Sequence, residues 1–240
     1  MENSTTKASG LTNVVNTVIS PKEAFEALRA APTWGWALII TIVVAMICSF
    51  LEVPALLHAF EAGWPAQVAA NPRMASMSAD QLAPIKHFSE ISFHFAPLFA
   101  LIFVPLFILL EAVVLWILSA IGKGSVGFKA LWSVSANIAI PAAAIAAIVN
   151  LVVVLARGAD SFPSMQSVQT AIPTLALLAP HAGKLTNFLG AFTPFTIWGA
   201  GLIVSAMLIT ARTNKGIAWV TGILSILIPA CFTLLSPGAT

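Results

Sequence analysis

The sequence predicts an all-α, polytopic membrane protein. Its expected form is a bundle of five transmembrane helices with an N-terminal amphipathic interfacial helix and two long outer loops. Three observations carry this. Of 240 residues, 59% are hydrophobic and only 8% charged, where a soluble domain is about a quarter charged. Mean hydropathy is +0.95, so lipid rather than water is the solvent of such a surface. Two long apolar stretches, Phe93 to Ile121 and Leu131 to Ala156, flank the short basic turn Gly122-Lys123-Gly124-Ser125-Val126-Gly127-Phe128-Lys129. Each exceeds the ~20 apolar residues that cross ~30 Å of hydrocarbon as a helix.

The elements follow in order. A cytoplasmic segment, 1–33, precedes a membrane domain, 34–236. Residues 1–10 are small and polar and are expected to lack regular structure. Leu11, Val14, Val15, Val18 and Ile19 then recur at the spacing of one helical face. Ser20-Pro21-Lys22-Glu23 restarts a helix, with Ser20 and Glu23 placed for a capping box and Pro21 at the first helical position. Ala24, Phe25 and Leu28 form its apolar face. This two-part segment lies either along the membrane surface or against the protein's own cytoplasmic face.

Span one covers 34–52, with Trp34 and Trp36 as interfacial anchors and Glu52 and Pro54 closing it. Residues 53–92, with Pro54, Pro65, Pro72 and Pro84, read as the first long loop; Ser78 to Gln81 would cap a short helix in it. Span two, 93–121, has kinks expected at Pro97 and Pro105. Span three, 131–156, carries Ser135, Ala139, Ala143 and Ala147 at four-residue spacing, a smooth stripe that would let another helix approach closely. In the second long loop, 157–193, the apolar run Ala171 to Ala179 is too short to cross and reads as an interface-lying or re-entrant helix. Span four, 194–211, offers a second close-approach pair, Gly201 and Ser205. After the turn Arg212-Thr213-Asn214-Lys215, span five covers 216–235. Cys48 and Cys231 lie in apolar segments and read as buried thiols.

Basic residues set the orientation. Lys7, Lys22 and Arg29, the turn residues Lys123 and Lys129, and Arg212 and Lys215 fall on one side of five spans. The positive-inside bias makes that side cytoplasmic and puts the C-terminus outside. The lysines of the basic turns would meet anionic lipid headgroups.

The order of several short stretches resembles the Yip1 domain family of five-span membrane proteins, in its bacterial form. These are Ile19-Ser20-Pro21-Lys22-Glu23-Ala24-Phe25, the basic turn continuing through Ala130-Leu131 to Pro141, Asn187-Phe188-Leu189, and Phe195-Thr196-Ile197-Trp198. Many relatives carry an Asp shortly before the last element; this chain has Ala191, Phe192, Thr193 and Pro194 there. The resemblance implies a membrane protein without known catalytic residues or cofactors. Eukaryotic relatives are associated with vesicle trafficking and small GTPases, and some bacterial ones with ABC-type efflux systems and their adaptors. Membrane lipids, other integral membrane proteins and a second copy of the chain are the partners considered, in a bacterial inner membrane.

Among candidate chemical groups Glu111 is the most unusual, because a carboxylate inside a span costs roughly 2.5–3.5 kcal/mol on insertion scales. Asn137 falls at a similar depth in span three and could share its proton or bond it, with Ser205 and Ser225 in the same layer. Glu111 would then be either a helix fastener or part of a proton or cation relay. His87, Glu90 and His94 share one helical face, a spacing compatible with a transition metal, and His58 and His181 lie on the same outer side. No flanking signature supports a metal site, and none is expected. Gly122 to Ser125 lacks the spacing of a phosphate loop, and a net charge of +2 gives no nucleic-acid footprint. The expected function is a non-catalytic scaffold or accessory subunit; the alternative is a small transporter or channel using Glu111.

Overall fold

The computed structural model describes residues 9–169, 171–179 and 183–234. Residues 1–8 with Lys7, Pro180, His181, Leu235 and the C-terminal Thr240, on which parts of the sequence reading fall, lie outside them. Every regular element among the described residues is helical. Four helical stretches are long and apolar enough to cross a membrane: Gly35–Ala70, Ala79–Ile121, Phe128–Arg157 and Lys215–Thr233. Lys184–Gly190 and Pro194–Ile209, bent by 56°, supply a fifth if the pair counts as one span. The chain is a multi-pass membrane protein, and its contacts divide it into two compact units.

The first unit contains the described residues of Met1–Ile42, Phe103–Ala146 and Pro173–Thr240. Helices α1 (Gly10–Ile19) and α2 (Pro21–Ala30) belong to it rather than standing apart. Phe25 and Leu28 of α2 are fully buried against Leu131, Val134, Leu202 and Met207, and the Thr210 hydroxyl donates to the Phe25 carbonyl at 2.9 Å. Of the two placements open to the segment, α2 adopts packing on the protein. The expected Ser20–Glu23 capping box does not form: Ser20 (φ −143°, ψ 62°) makes no side-chain cap bond, and its N–H, the group Glu23 would reach, closes α1 onto Asn16 instead. In α1 the buried face is Asn13, Val14 and Thr17, while Leu11, Val15 and Ile19 point outward.

In the same unit lie α6 (Ala100–Ile121) from Phe103 onward, α7 (Phe128–Ala139), α10 (Lys184–Gly190), α11 (Pro194–Ile209) and α12 (Lys215–Thr233). The turn after α6 closes tightly: Lys123 takes φ 57° and the Gly124 N–H reaches the Ser119 carbonyl at 2.7 Å, a left-handed helix end. A Cβ on Gly124 would collide with the Ser119 side chain, which is why glycine stands there. Ser125 N–H then donates to the Ala211 carbonyl at 3.0 Å, so the two basic turns are joined backbone to backbone. Thr193 caps α11, taking the Thr196 N–H at 3.0 Å.

Proline shapes the third long stretch. Pro141 has no N–H to give the Asn137 carbonyl; Ile140 bonds that carbonyl instead, and Ile140–Ala144 adopt a π-helical turn. That extra residue shifts the helical register between Ala139 and Ala143. The Ser135–Ala139–Ala143–Ala147 stripe is therefore broken: Ser135 and Ala139 are buried, but Ala143 faces outward and Ala147 is half-exposed. The expected Gly201–Ser205 pair needs a similar correction. Gly201 is exposed with open space beside its Cα, and close approach uses Gly199 and Gly222 instead. A Cβ at Gly199 would lie 2.9 Å from the Ala142 methyl, and one at Gly222 2.5 Å from Val204 Cγ2 and 2.9 Å from the Ala200 carbonyl. Two residues along α11 is about 200° around it, so the small residues chosen from spacing lie on the opposite face.

The second unit comprises Val43–Ile102 and Ala147–Ile172. Residues 53–92 are not the long loop expected of them. Helix α3 (Gly35–Ala70) runs through Pro54 and Pro65 for 36 residues, about 54 Å at 1.5 Å per residue. After the short α4 (Pro72–Ala75), α5 (Ala79–Phe95) continues through a 3₁₀ turn at Ala96–Phe99 towards α6. The prolines do not stop α3 because burial of Ala55 and Ala59 against Val154, Phe162 and Val168 holds the helix beyond Pro54, and a lipid-embedded helix tolerates the lost bond. Gln81 Oε1 accepts the Ser78 N–H at 3.0 Å, so that cap starts a long helix rather than a short one. The 3₁₀ turn holds Pro97, whereas Pro105 lies inside unbroken α6.

The expected second loop, 157–193, is only partly irregular, because α9 (Met165–Gln169) and α10 lie within it. α8 (Ile145–Arg157), which starts at the foot of the π-turn, is followed by a 3₁₀ turn at Ala159–Ser161 and α9. The run Ala171 to Ala179 forms only the 3₁₀ turn Leu175–Leu178 rather than the expected helix. Cys48 is buried as expected, but Cys231 is exposed on α12, facing outward from an apolar helix.

Candidate functional site: buried polar groups in the helices

Glu111 lies on α6, and its carboxyl faces the Ser135 hydroxyl of α7. Contact is incomplete: neither Glu111 Oε1 nor Ser135 Oγ is in hydrogen-bond geometry with any described group, although both atoms are sealed from solvent. The expected partner, Asn137, is engaged elsewhere. Its Nδ2 donates to the Thr33 carbonyl at 2.8 Å and to the Ser133 carbonyl at 2.7 Å. α7 turns about 200° between positions 135 and 137, which brings Ser135 rather than Asn137 to the acid.

Thr33 gathers a second group. Asn13 Nδ2 donates to its hydroxyl at 2.8 Å, while Asn137 holds its carbonyl, so two buried amides grip one residue just before α3. Asn13 Oδ1 and Asn137 Oδ1 are left without a partner among the described residues. Ser205 and Ser225, expected in the same layer, bond back to the carbonyls of Gly201 at 3.0 Å and Gly222 at 2.7 Å. Among the described residues, the first unit thus holds four bare buried oxygens, from Asn13, Glu111, Ser135 and Asn137. A buried polar atom without a bond costs several kcal/mol in hydrocarbon, so such atoms can recruit water, a proton or a cation.

Sequence reasoning missed a second acid. Glu52, expected to close span one, sits midway along α3. Asn150 of α8 donates to Glu52 Oε1 at 2.9 Å and to the Val168 carbonyl at 3.0 Å, and accepts the Ala171 N–H at 3.1 Å. Every polar atom of Asn150 is used. The signal was an Asn inside an uncharged apolar run, which a count of charges passes over.

The remaining candidates separate. Glu90 Oε1 lies 3.5 Å from Lys86 Nζ and Oε2 lies 3.9 Å from His87 Nδ1, while His58 Nδ1 is 3.5 Å from Asp160. No three metal-ligating side chains gather among the described residues. Lys123, Lys129, Arg212 and Lys215 are all exposed, on or beside the two turns joined through Ser125 and Ala211.

Long apolar helices, buried amides tying them together and a charged rim at the turns define a polytopic α-helical membrane protein. Within that class the Yip1 domain model matches residues 15–236, nearly the whole chain, and the chain belongs to that family. No curated protein and no solved structure matches it.

Proposed function

We propose that this protein is a non-catalytic integral membrane scaffold or accessory subunit that binds other membrane proteins. The candidate partner is an ABC-type exporter with its adaptor, in a bacterial inner membrane with the N-terminus cytoplasmic. The observation that carries the reading is the outward face of α6. Phe103 and Phe107 stack on each other with centroids 6.2 Å apart, and with Leu106 and Leu110 they stand exposed. Paired aromatic rings supply a rigid, directional surface against which another helix can pack. The test is affinity purification from detergent followed by mass spectrometry. An exporter recovered in stoichiometric amount, and lost when Phe103 and Phe107 are both replaced by alanine, is the expected result; an exporter recovered equally well with both rings removed would remove the argument.

The bare oxygens around Glu111 and Ser135 favour one second reading, a small transporter using that carboxyl. It requires proton or cation flux in liposomes containing the purified protein alone. Flux that Glu111→Gln abolishes supports it, and flux unchanged in that variant rejects it.

A further inference from the structure

An open cavity of about 610 Å³ is lined by Glu26, Arg29 and Ala30 of α2, by Leu208 and Ile209 in the last turn of α11, and by Arg212 beyond it. We propose that this cavity binds the phosphoethanolamine headgroup of a membrane phospholipid, the phosphate between Arg29 and Arg212 and the ammonium on Glu26. Neither arginine has an ion-pair partner among the described residues, and Glu26 has none either. The cavity therefore offers two positive charges and one negative charge whose demands the protein does not meet. Two guanidinium groups match one phosphodiester, and the remaining carboxylate matches a primary ammonium that can donate to it.

Two observations place the cavity at headgroup depth. Leu208 and Ile209 end an apolar helix just before the charged turn, and α12 begins its apolar run directly after it. α1, packed on α2, exposes Leu11, Val15 and Ile19 at four-residue spacing, with Ile19 69% exposed. Such a stripe suits a helix lying in the interfacial layer. An acyl chain can continue over Leu208 and Ile209, which favours a lipid over a soluble phosphoethanolamine compound.

The experiment uses the full-length protein in nonionic detergent, offered equal amounts of phosphatidylethanolamine, phosphatidylcholine and phosphatidylglycerol with identical chains. Retained lipid is counted by native mass spectrometry. The ethanolamine lipid should dominate, and Arg29→Gln with Arg212→Gln should lower its retention about thirtyfold. Glu26→Gln should leave total lipid similar but remove the preference over phosphatidylglycerol. That single exposed change keeps the test decisive if the double variant unfolds. Equal or stronger retention of phosphatidylglycerol by the native protein would reduce the cavity to a generic basic patch and overturn the proposal. Displacement of lipid by millimolar glycerophosphoethanolamine would assign the site to a soluble compound, and a photoreactive residue at position 208 that captures protein instead of lipid would assign it to a partner chain; either outcome overturns it.

Discussion

Glu52 in the second unit and Glu111 in the first are both acids inside apolar helices, yet their surroundings differ. Glu52 meets an asparagine whose two N–H donors are filled by the acid and a carbonyl and whose oxygen accepts an N–H. Glu111 meets a serine hydroxyl that does not close onto it, in a unit where two asparagine oxygens are also bare. A satisfied network stabilises the helices it joins, and a partly satisfied one leaves groups that gain by acquiring something else. The first kind is structural, and the second is where proton, water or ligand chemistry has room to act.

If the first unit left polar groups bare because it packs loosely, an added methyl group would be absorbed anywhere. Gly222→Ala should instead cost about 3 kcal/mol, the upper end for overpacking, because its Cβ would meet the Ala200 carbonyl as well as Val204 Cγ2. Gly201→Ala, with open space beside it, should change stability by less than about 0.5 kcal/mol. Thermal unfolding in detergent compares the two directly. Equal effects would mean that the interior gives way, and the bare oxygens would lose their meaning.

Asn150→Ala comes next. It removes three bonds, each worth about 0.6 kcal/mol in a membrane, for a total of about 2 kcal/mol. Glu52→Gln should cost less, because a glutamine Oε1 can still accept from Asn150 Nδ2, and the double variant should cost little more than Asn150→Ala alone. Asn137→Ala should cost about 1 kcal/mol or less: it loses two bonds but also removes a bare oxygen. If Asn137→Ala proved as damaging as Asn150→Ala, the two networks would be energetically alike despite their geometry.

Much of the helical plan was legible because lipid imposes it. Apolar runs of sufficient length locate helices whatever they pack against, and the turn at Gly122 to Lys129 and the α1–α2 break at Ser20 fall where composition places them. Local rules failed where a tertiary contact overrode them. Pro54 and Glu52 together read as an ending, but Ala55 and Ala59 are buried and carry α3 onward. The four-residue alanine stripe assumed an unbroken helix, which Pro141 converts to a π-turn. Glu111 announced itself as a charge in an apolar run; its neighbour did not, because choosing Ser135 over Asn137 depends on the rotation of α7, and no spacing rule supplies that angle.

The smallest expected effect separates the two acids most cleanly, because it differs in sign. Replacing Glu111 by leucine removes a carboxyl from a helix interior where no described group bonds Oε1. Only the open contact with the Ser135 hydroxyl is lost, and a costly group leaves the hydrocarbon. Glu111→Leu should therefore be neutral or stabilising by about 1 kcal/mol. At Glu52 the same replacement strands one N–H of Asn150 Nδ2 beside an apolar side chain, while the other stays on the Val168 carbonyl, and stability should fall. Measured as paired melting midpoints in one detergent, a loss at both positions would show that Glu111 is also a fastener. A gain at 111 beside a loss at 52 leaves the first acid without a structural reason to be there, and its retention then belongs to whatever reaches it.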